Sequence, residues 1–302
     1  LYLTLLYAKE SGKKNLILAG RNAHKTFINT AALLDIDVEW IYPEKTGHLC
    51  ECEITPSALR EKLSTMPSLP FALYVTSPNY LGKILDIKGI SEVCREFSIY
   101  LLVDNAHGAY LAFTEPSMHP LELGADMSCD SAHKTLPALT GGAYLHISKH
   151  APKAFLDLAE SGMSLFASTS PSYLILQSLD RANAYLDTYK ETLAPFLEQV
   201  YTIKKALQDY GYSLFGNEPM KITIAAKPYG YSGTGLAEVL VRQDIVPEFA
   251  DSDYLVLMLT PELGGEGLKR LEAALLAIPS RAPLADDAPV FRAGKRVMSI
   301  RE

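Results

Sequence analysis

Long apolar runs, a cysteine framework and clustered basic residues are all missing from this chain of 302 residues. Its hydrophobic stretches are too short and too often interrupted to span a bilayer as a helix. Leu1 to Ala8 has neither a basic leader nor a small-residue cleavage site, so it does not read as a signal peptide. Of the four cysteines, Cys50 and Cys52 stand one residue apart with no second Cys or His pair to complete a zinc site. No metal is expected, and reduced thiols in a cytoplasmic protein are the plain reading. The net charge is −7 and no basic run is interleaved with aromatics, which gives no support to nucleic-acid binding. Repeats and low-complexity segments are absent too. Leu1 lacks a helix cap before it and Val297–Glu302 stops without a polar tail, so both ends are expected to be cuts through a longer protein.

What is present is an alternation of short apolar runs with helical periodicity. Strands are expected at Asn15–Gly20, Val38–Tyr42, Phe71–Thr76 and Ile99–Val103, with helices at Lys25–Leu34, from Pro56 to Leu63, and from a cap at Asp86 to Phe97. This order predicts a parallel, doubly wound sheet covered on both faces, with ligands beyond the carboxyl ends of its strands. Ala151 to Tyr210 reads as helical, with a long run started by Pro171, capped by Ser170 and interrupted near Pro195. A compact second α/β unit follows Gly211, and Ser280 to Lys295 reads as a linker. The expected division is 1–190, 191–280 and 281–302.

Several polar clusters fall on one expected rim. Lys134 lies in Asp130-Ser131-Ala132-His133-Lys134-Thr135, a turn between two strand-like pieces, where apolar surroundings favour a nucleophilic amine. The chemistry that wants such an amine is an imine with a carbonyl, above all that of pyridoxal phosphate (PLP). Asp104, directly after an apolar strand, is either a turn cap or the partner of the cofactor's pyridine nitrogen. His107 and His24 are either structural or beside the ring, and Ser131 and His133 bracket Lys134 closely enough to donate to an anion. Glu248 reads as a surface or capping carboxylate.

The motifs Arg21-Asn22-Ala23-His24-Lys25-Thr26, Ser77-Pro78-Asn79-Tyr80-Leu81-Gly82, Asp104-Asn105-Ala106-His107-Gly108, Ser131-Ala132-His133-Lys134-Thr135 and Ser168-Thr169-Ser170-Pro171 occur in this order. Together they resemble the ornithine/lysine/arginine decarboxylase family of fold-type-I PLP enzymes. The resemblance implies an aspartate-aminotransferase-like, three-layer αβα large domain with a mostly parallel sheet and a smaller C-terminal α/β domain. It implies Lys134 as the covalent attachment point of PLP, and Lys134 and His107 as the catalytic pair. Asp104 would serve the ring nitrogen, His24 would stack on the ring, and Ser131 and His133 would lie near the phosphate. Thr169 would reach the phosphate of a neighbouring subunit's site in a homodimer or larger assembly. It further implies a Gly-Ser/Thr phosphate loop before Leu1 and a C-terminal domain after Glu302. The activity implied is decarboxylation of arginine, lysine or ornithine. Aminotransfer or aldol-type cleavage on the same cofactor is the alternative within enzymes, and a weakly active chain acting in assembly is the alternative outside them.

Overall fold

In the computed structural model, which describes residues 1–43, 48, 50–168, 170–285 and 297–302, the chain folds around two sheets. The elements of the first half are α1 (Tyr2–Glu10), β1 (Leu16–Gly20), α2 (Lys25–Leu34), β2 (Asp37–Ile41), α3 (Pro56–Thr65), β3 (Ala72–Thr76), α4 (Ile87–Glu96) and β4 (Tyr100–Asp104). They continue with β5 (Met127–Asp130), α5 (Ala132–Thr135), β6 (Tyr144–Ile147) and α6 (Lys153–Phe166). The first sheet runs in the order β2-β1-β3-β4-β5-β6 and is parallel except for β6, which returns antiparallel to β5.

Alternation along these strands builds the layers. Leu18, Leu73, Val75, Leu101 and Val103 face α3 and α4, whereas Ile17, Ala19, Ala72 and Leu102 face α1, α2 and α6. Both faces are therefore covered, which is why the strands read as nearly unbroken apolar runs. Helix starts follow their caps: Thr55 accepts from the Ala58 N–H with Pro56 behind it, and Asp86 accepts from the Gly89 N–H. The strand order reverses direction between β1 and β3, and the crevice of an open α/β sheet lies at such a switch point.

The second half holds α7 (Tyr173–Leu186), α8 (Tyr189–Tyr210), β7 (Ser213–Phe215), β8 (Lys221–Ala225), α9 (Gly233–Val241), β9 (Phe249–Ala250), β10 (Tyr254–Met258) and α10 (Gly264–Leu276). The sheet β7-β8-β10-β9 is antiparallel throughout. Leu193, Phe196, Leu197, Val200, Ile203 and Leu207 of α8 lock it to this sheet and to Tyr110, Ala132 and Leu136 of the first half.

Three expectations need correction. The long helical run breaks at Asp187–Thr188, and Pro195 lies inside α8; the buried α8 face outweighs the one backbone bond that a proline removes. The cap of α7 is Ser172 rather than Ser170, with Pro171 in the lead-in, where its missing N–H leaves no ladder open. The segment around Lys134 is a one-turn helix, α5, rather than an open turn. Within the stretch expected as a linker, the Arg281 and Leu284 N–H groups donate to the Tyr229 and Lys227 carbonyls, and Ile300 packs on the α1–α2–α6 side of the sheet. Residues 286–296 of that stretch lie outside the described residues. Among the described residues no helix is long and apolar enough to cross a membrane.

Candidate active site

A cavity of about 1580 Å³ opens at the carboxyl ends of β1, β3, β4 and β5. Each strand delivers its next residues to the wall: Arg21 to His24 from β1, Thr76 to Tyr80 from β3, Asp104 to His107 from β4, and Asp130 to Lys134 from β5, with Asn105, His133 and others facing elsewhere. The parallel register sets the depth, because Thr76 pairs with Asp104 and Asp104 with Cys129.

At the centre, Lys134 Nζ lies 3.2 Å from His107 Nε2. Burial, reinforced by positive charge at Lys221, Lys134 and His24, holds His107 down to about 2. The ring is neutral, so Nε2 accepts from the lysine and Nδ1 carries the proton. That Nδ1 is buried without a partner among the described residues. Tyr80 meets the His107 ring edge to face at 5.2 Å, and its hydroxyl donates to Glu248 Oε1 at 3.2 Å. Glu248, read from the sequence as a surface carboxylate, is exposed and borders the site through this bond.

Asp104 is held by two donors. The Tyr74 hydroxyl gives to Oδ2 at 2.9 Å, and the Ala106 N–H to Oδ1 at 3.2 Å. Burial and the neighbouring carboxylate push the Tyr74 phenol well above its ordinary value, so it stays a donor. His24 lines the cavity from the start of α2, where its Nδ1 accepts from the Thr26 N–H at 3.3 Å. Ser131 lines the cavity and its side chain makes no capping bond. His133 turns aside: its N–H and its Nδ1 both meet the Gly142 carbonyl, at 3.3 and 2.9 Å. Thr169 lies outside the described residues.

Sequence reasoning missed two neighbours of this group. Tyr74 reads from the sequence as a plain strand residue, and the usable signal is a tyrosine two positions before the end of a strand that pairs with the strand of Asp104. Lys221 is 4% exposed at the start of β8; its Nζ lies 3.3 Å from the Tyr80 carbonyl and 5.9 Å from the Tyr80 ring centre. Burial lowers it to about 8. A lysine opening the apolar run Ile222-Thr223-Ile224-Ala225 gave no sign of reaching the first sheet, because the contact joins residues 141 apart.

The pH dependence of His107 can be tested directly. Its folded value lies below the unfolded 6.5, so an unfolded chain takes up a proton that the folded chain refuses. The neutral ring therefore favours folding fully above pH 6.5, and this contribution is lost by about 1.4 kcal/mol per pH unit on acidification towards the folded value. Urea unfolding at pH 7.5 and pH 5 is expected to show a shallower loss for His107→Gln than for the parent chain. Equal slopes would place the His107 ring in solvent.

The strand ends, the lysine–histidine contact and the braced aspartate can now be set beside known proteins. YaaO, an uncharacterized protein of Bacillus subtilis (strain 168), is 31% identical, across 86% of this chain and 55% of its own length. An arginine decarboxylase of the same organism is 28% identical, across 88% of this chain and 57% of its own length. The chain thus spans about half the length of the curated relatives it matches. Among solved structures, the lysine decarboxylase LdcF of Francisella novicida superposes with a TM-score of 0.70 at 20% identity, covering 87% of this chain and 45% of that one. The fold is the aminotransferase-like α/β fold of the PLP enzymes of fold type I. The family model "Orn/Lys/Arg decarboxylase, major domain" matches residues 4–222, and the chain belongs to that family.

Proposed function

We propose that this chain carries the active-site core of a PLP-dependent decarboxylase that converts arginine, lysine or ornithine into the corresponding amine and CO2. The observation that carries the reading is the meeting of Lys134, a neutral His107 and a doubly held Asp104 at one cavity wall.

The residues suit the cofactor. Two cavity-lining residues, His107 and Thr76, each keep a buried polar atom, Nδ1 and Oγ1, with no partner among the described residues. Such atoms are costly unless a polar ligand meets them. Lys134 supplies the amine that an aldehyde needs, Asp104 an anion for a ring N–H, and Ser131 a free hydroxyl for a phosphate. When bound, PLP supplies a place for the electron pair left on the α-carbon as CO2 departs.

The chain's own side chains do the rest. Lys134 Nζ would be the amine that holds the cofactor, and Lys134 or a donor beside it would carry the proton destined for the α-carbon. His107 Nε2 accepts from Nζ and so fixes where that amine points. Asp104 keeps unused lone pairs on both oxygens after Tyr74 and Ala106 have bonded, enough to hold a proton at a ring nitrogen. His24, on the cavity wall, would cover a ring face, and His133 braces the Lys134 turn through Gly142.

The proposal includes a homodimer or larger assembly in a cytoplasmic setting, with Thr169 serving the neighbouring site. Exposed Met163, Phe166, Tyr173 and Leu174 support it, since the first two also line the cavity and a second copy would cover them. It also includes the division near residue 190, supported by the whole second sheet following α8.

The test is a product assay on the chain with PLP and each of the three amino acids. CO2 together with agmatine, cadaverine or putrescine is expected from one of them. A keto acid in place of CO2 would turn the reading to aminotransfer, and no product from any of them would remove it.

A further inference from the structure

The end of β5 holds a polar cluster that the proposed chemistry does not use. Asp130, the last residue of β5, is 2% exposed, and three elements reach its carboxylate. The Ser128 hydroxyl donates to Oδ1 at 3.1 Å, from within β5. His119, from the loop that precedes β5, brings Nε2 to 2.8 Å from Oδ2, and His146 of β6 brings its own Nε2 to 3.5 Å from the same oxygen.

Two histidines and a carboxylate, their ligand atoms within 4.8 Å of one another, outline a divalent-cation site. The hydrogen bonding decides against it. The Leu121 N–H donates to His119 Nδ1 at 3.3 Å, so that nitrogen carries the lone pair and Nε2 carries the proton facing Asp130. A metal on Nε2 needs the opposite tautomer, whose Nδ1–H would point at the Leu121 N–H. The cluster is a hydrogen-bonded brace.

What it braces is the turn that presents Lys134. Helix α5 has four residues and its N-cap, Ser131, makes no side-chain capping bond. A single turn does not hold itself. Downstream, His133 grips the Gly142 carbonyl. Upstream, the anchored residue is Asp130, immediately before the cap. A buried carboxylate–imidazole pair contributes little net stability compared with apolar side chains of similar volume, so stability alone does not account for one here.

We propose that Asp130, held by His119, is the positioning residue for Lys134: it fixes the direction in which residues 131–135 leave β5 and so keeps Nζ in contact with His107 Nε2. The inference rests on the reading of Lys134 as the cofactor's lysine, but its test needs neither cofactor nor substrate. In the full chain with ¹⁵N-labelled histidine, the Nε2 resonance of His107 reports the bond from Lys134, and Lys134→Ala gives its value when that bond is gone. His119→Phe is expected to move the resonance to that value and also to lower the melting temperature, because Asp130 stays buried with one donor fewer; His119→Gln, whose amide still donates to Asp130, is expected to restore the parent position of the resonance. Should His119→Phe fail to fold, the apolar pair Asp130→Leu with His119→Leu tests the same contact in a packed core. An unmoved His107 resonance in either folded variant overturns the proposal. So does saturation of the His119 and His146 resonances by one equivalent of zinc alone, since a metal would then own Asp130. In the product assay, His119→Phe is expected to lower kcat by about tenfold with KM little changed.

Discussion

Lys134→Ala is expected to abolish covalent capture of PLP and to lower CO2 release by about three orders of magnitude or more, as loss of a reacting nucleophile does. The structure explains why the effect falls on chemistry rather than on folding. Lys134 is half-buried and, among the described residues, its side chain makes one hydrogen bond, to His107. Its removal leaves the apolar core beneath α5, Ala132 and Leu136, in place. Borohydride reduction followed by peptide mass spectrometry is the direct measurement: the parent chain retains cofactor on the peptide containing Lys134, and the alanine chain retains none. Lys134→Arg separates nucleophilicity from charge. The guanidinium keeps a cation and a donor for His107 Nε2 but cannot form the bond to an aldehyde, so activity stays absent while the electrostatic setting of His107 persists. The main rival is Lys221, the other lysine close to His107. Its Nζ is turned to the carbonyls of Asn79 and Tyr80 and it is not part of the cavity wall. Cofactor recovered on Lys221 in the parent chain would overturn the assignment.

The first sheet was legible because its strands are buried on both faces and each ends at a polar cluster. Ile99 to Val103 running straight into Asp104 could hardly be anything but a central parallel strand, and β4 is that strand. The reach of the site from β1 to β5 follows from topology alone, since parallel strands deliver their following residues to one rim. What stayed hidden depends on side-chain direction or on distant pairs. Nothing in Ser131-Ala132-His133-Lys134 says that His133 turns to Gly142 while Lys134 turns to His107; the one-turn helix that holds both aims neighbouring side chains about 100° apart, and its phase is not written in four residues. The Asp130–His119 brace was equally silent, because it joins a strand end to a loop histidine with no local pattern. Helix boundaries failed where packing overrode punctuation, as at Pro195, where the apolar face of α8 carries the helix through a residue that ordinarily ends one.

Graded substitutions at Asp104 and Tyr74 are expected to rank by how much charge they remove from one place. Asp104→Ala takes away the anion and leaves the buried Tyr74 hydroxyl without its acceptor. Losing one side of a buried charge pair costs about 2–5 kcal/mol, which is tens-fold to thousands-fold in kcat/KM if Asp104 holds the ring-nitrogen proton. The stranded phenol adds a separate stability loss of about 1–3 kcal/mol, read as a lower urea midpoint. Asp104→Asn keeps the volume and an acceptor for Tyr74 or Ala106, so the chain should stay nearly as stable while activity falls close to the alanine level; charge, not shape, is what the position supplies. Tyr74→Phe leaves the carboxylate but removes one donor to it, a bond to a charged group worth about 1.5–3 kcal/mol. Its effect is expected to be the smallest of the three and to fall on kcat rather than on KM, because a less firmly held carboxylate still binds the ring but no longer sits where the developing charge needs it. Measured kcat/KM in the order Tyr74→Phe, Asp104→Asn, Asp104→Ala from highest to lowest supports the role. An asparagine variant with parent activity would reduce Asp104 to the turn cap that its place after β4 also allows, since a neutral amide can cap the Ala106 N–H but cannot hold a cationic ring nitrogen.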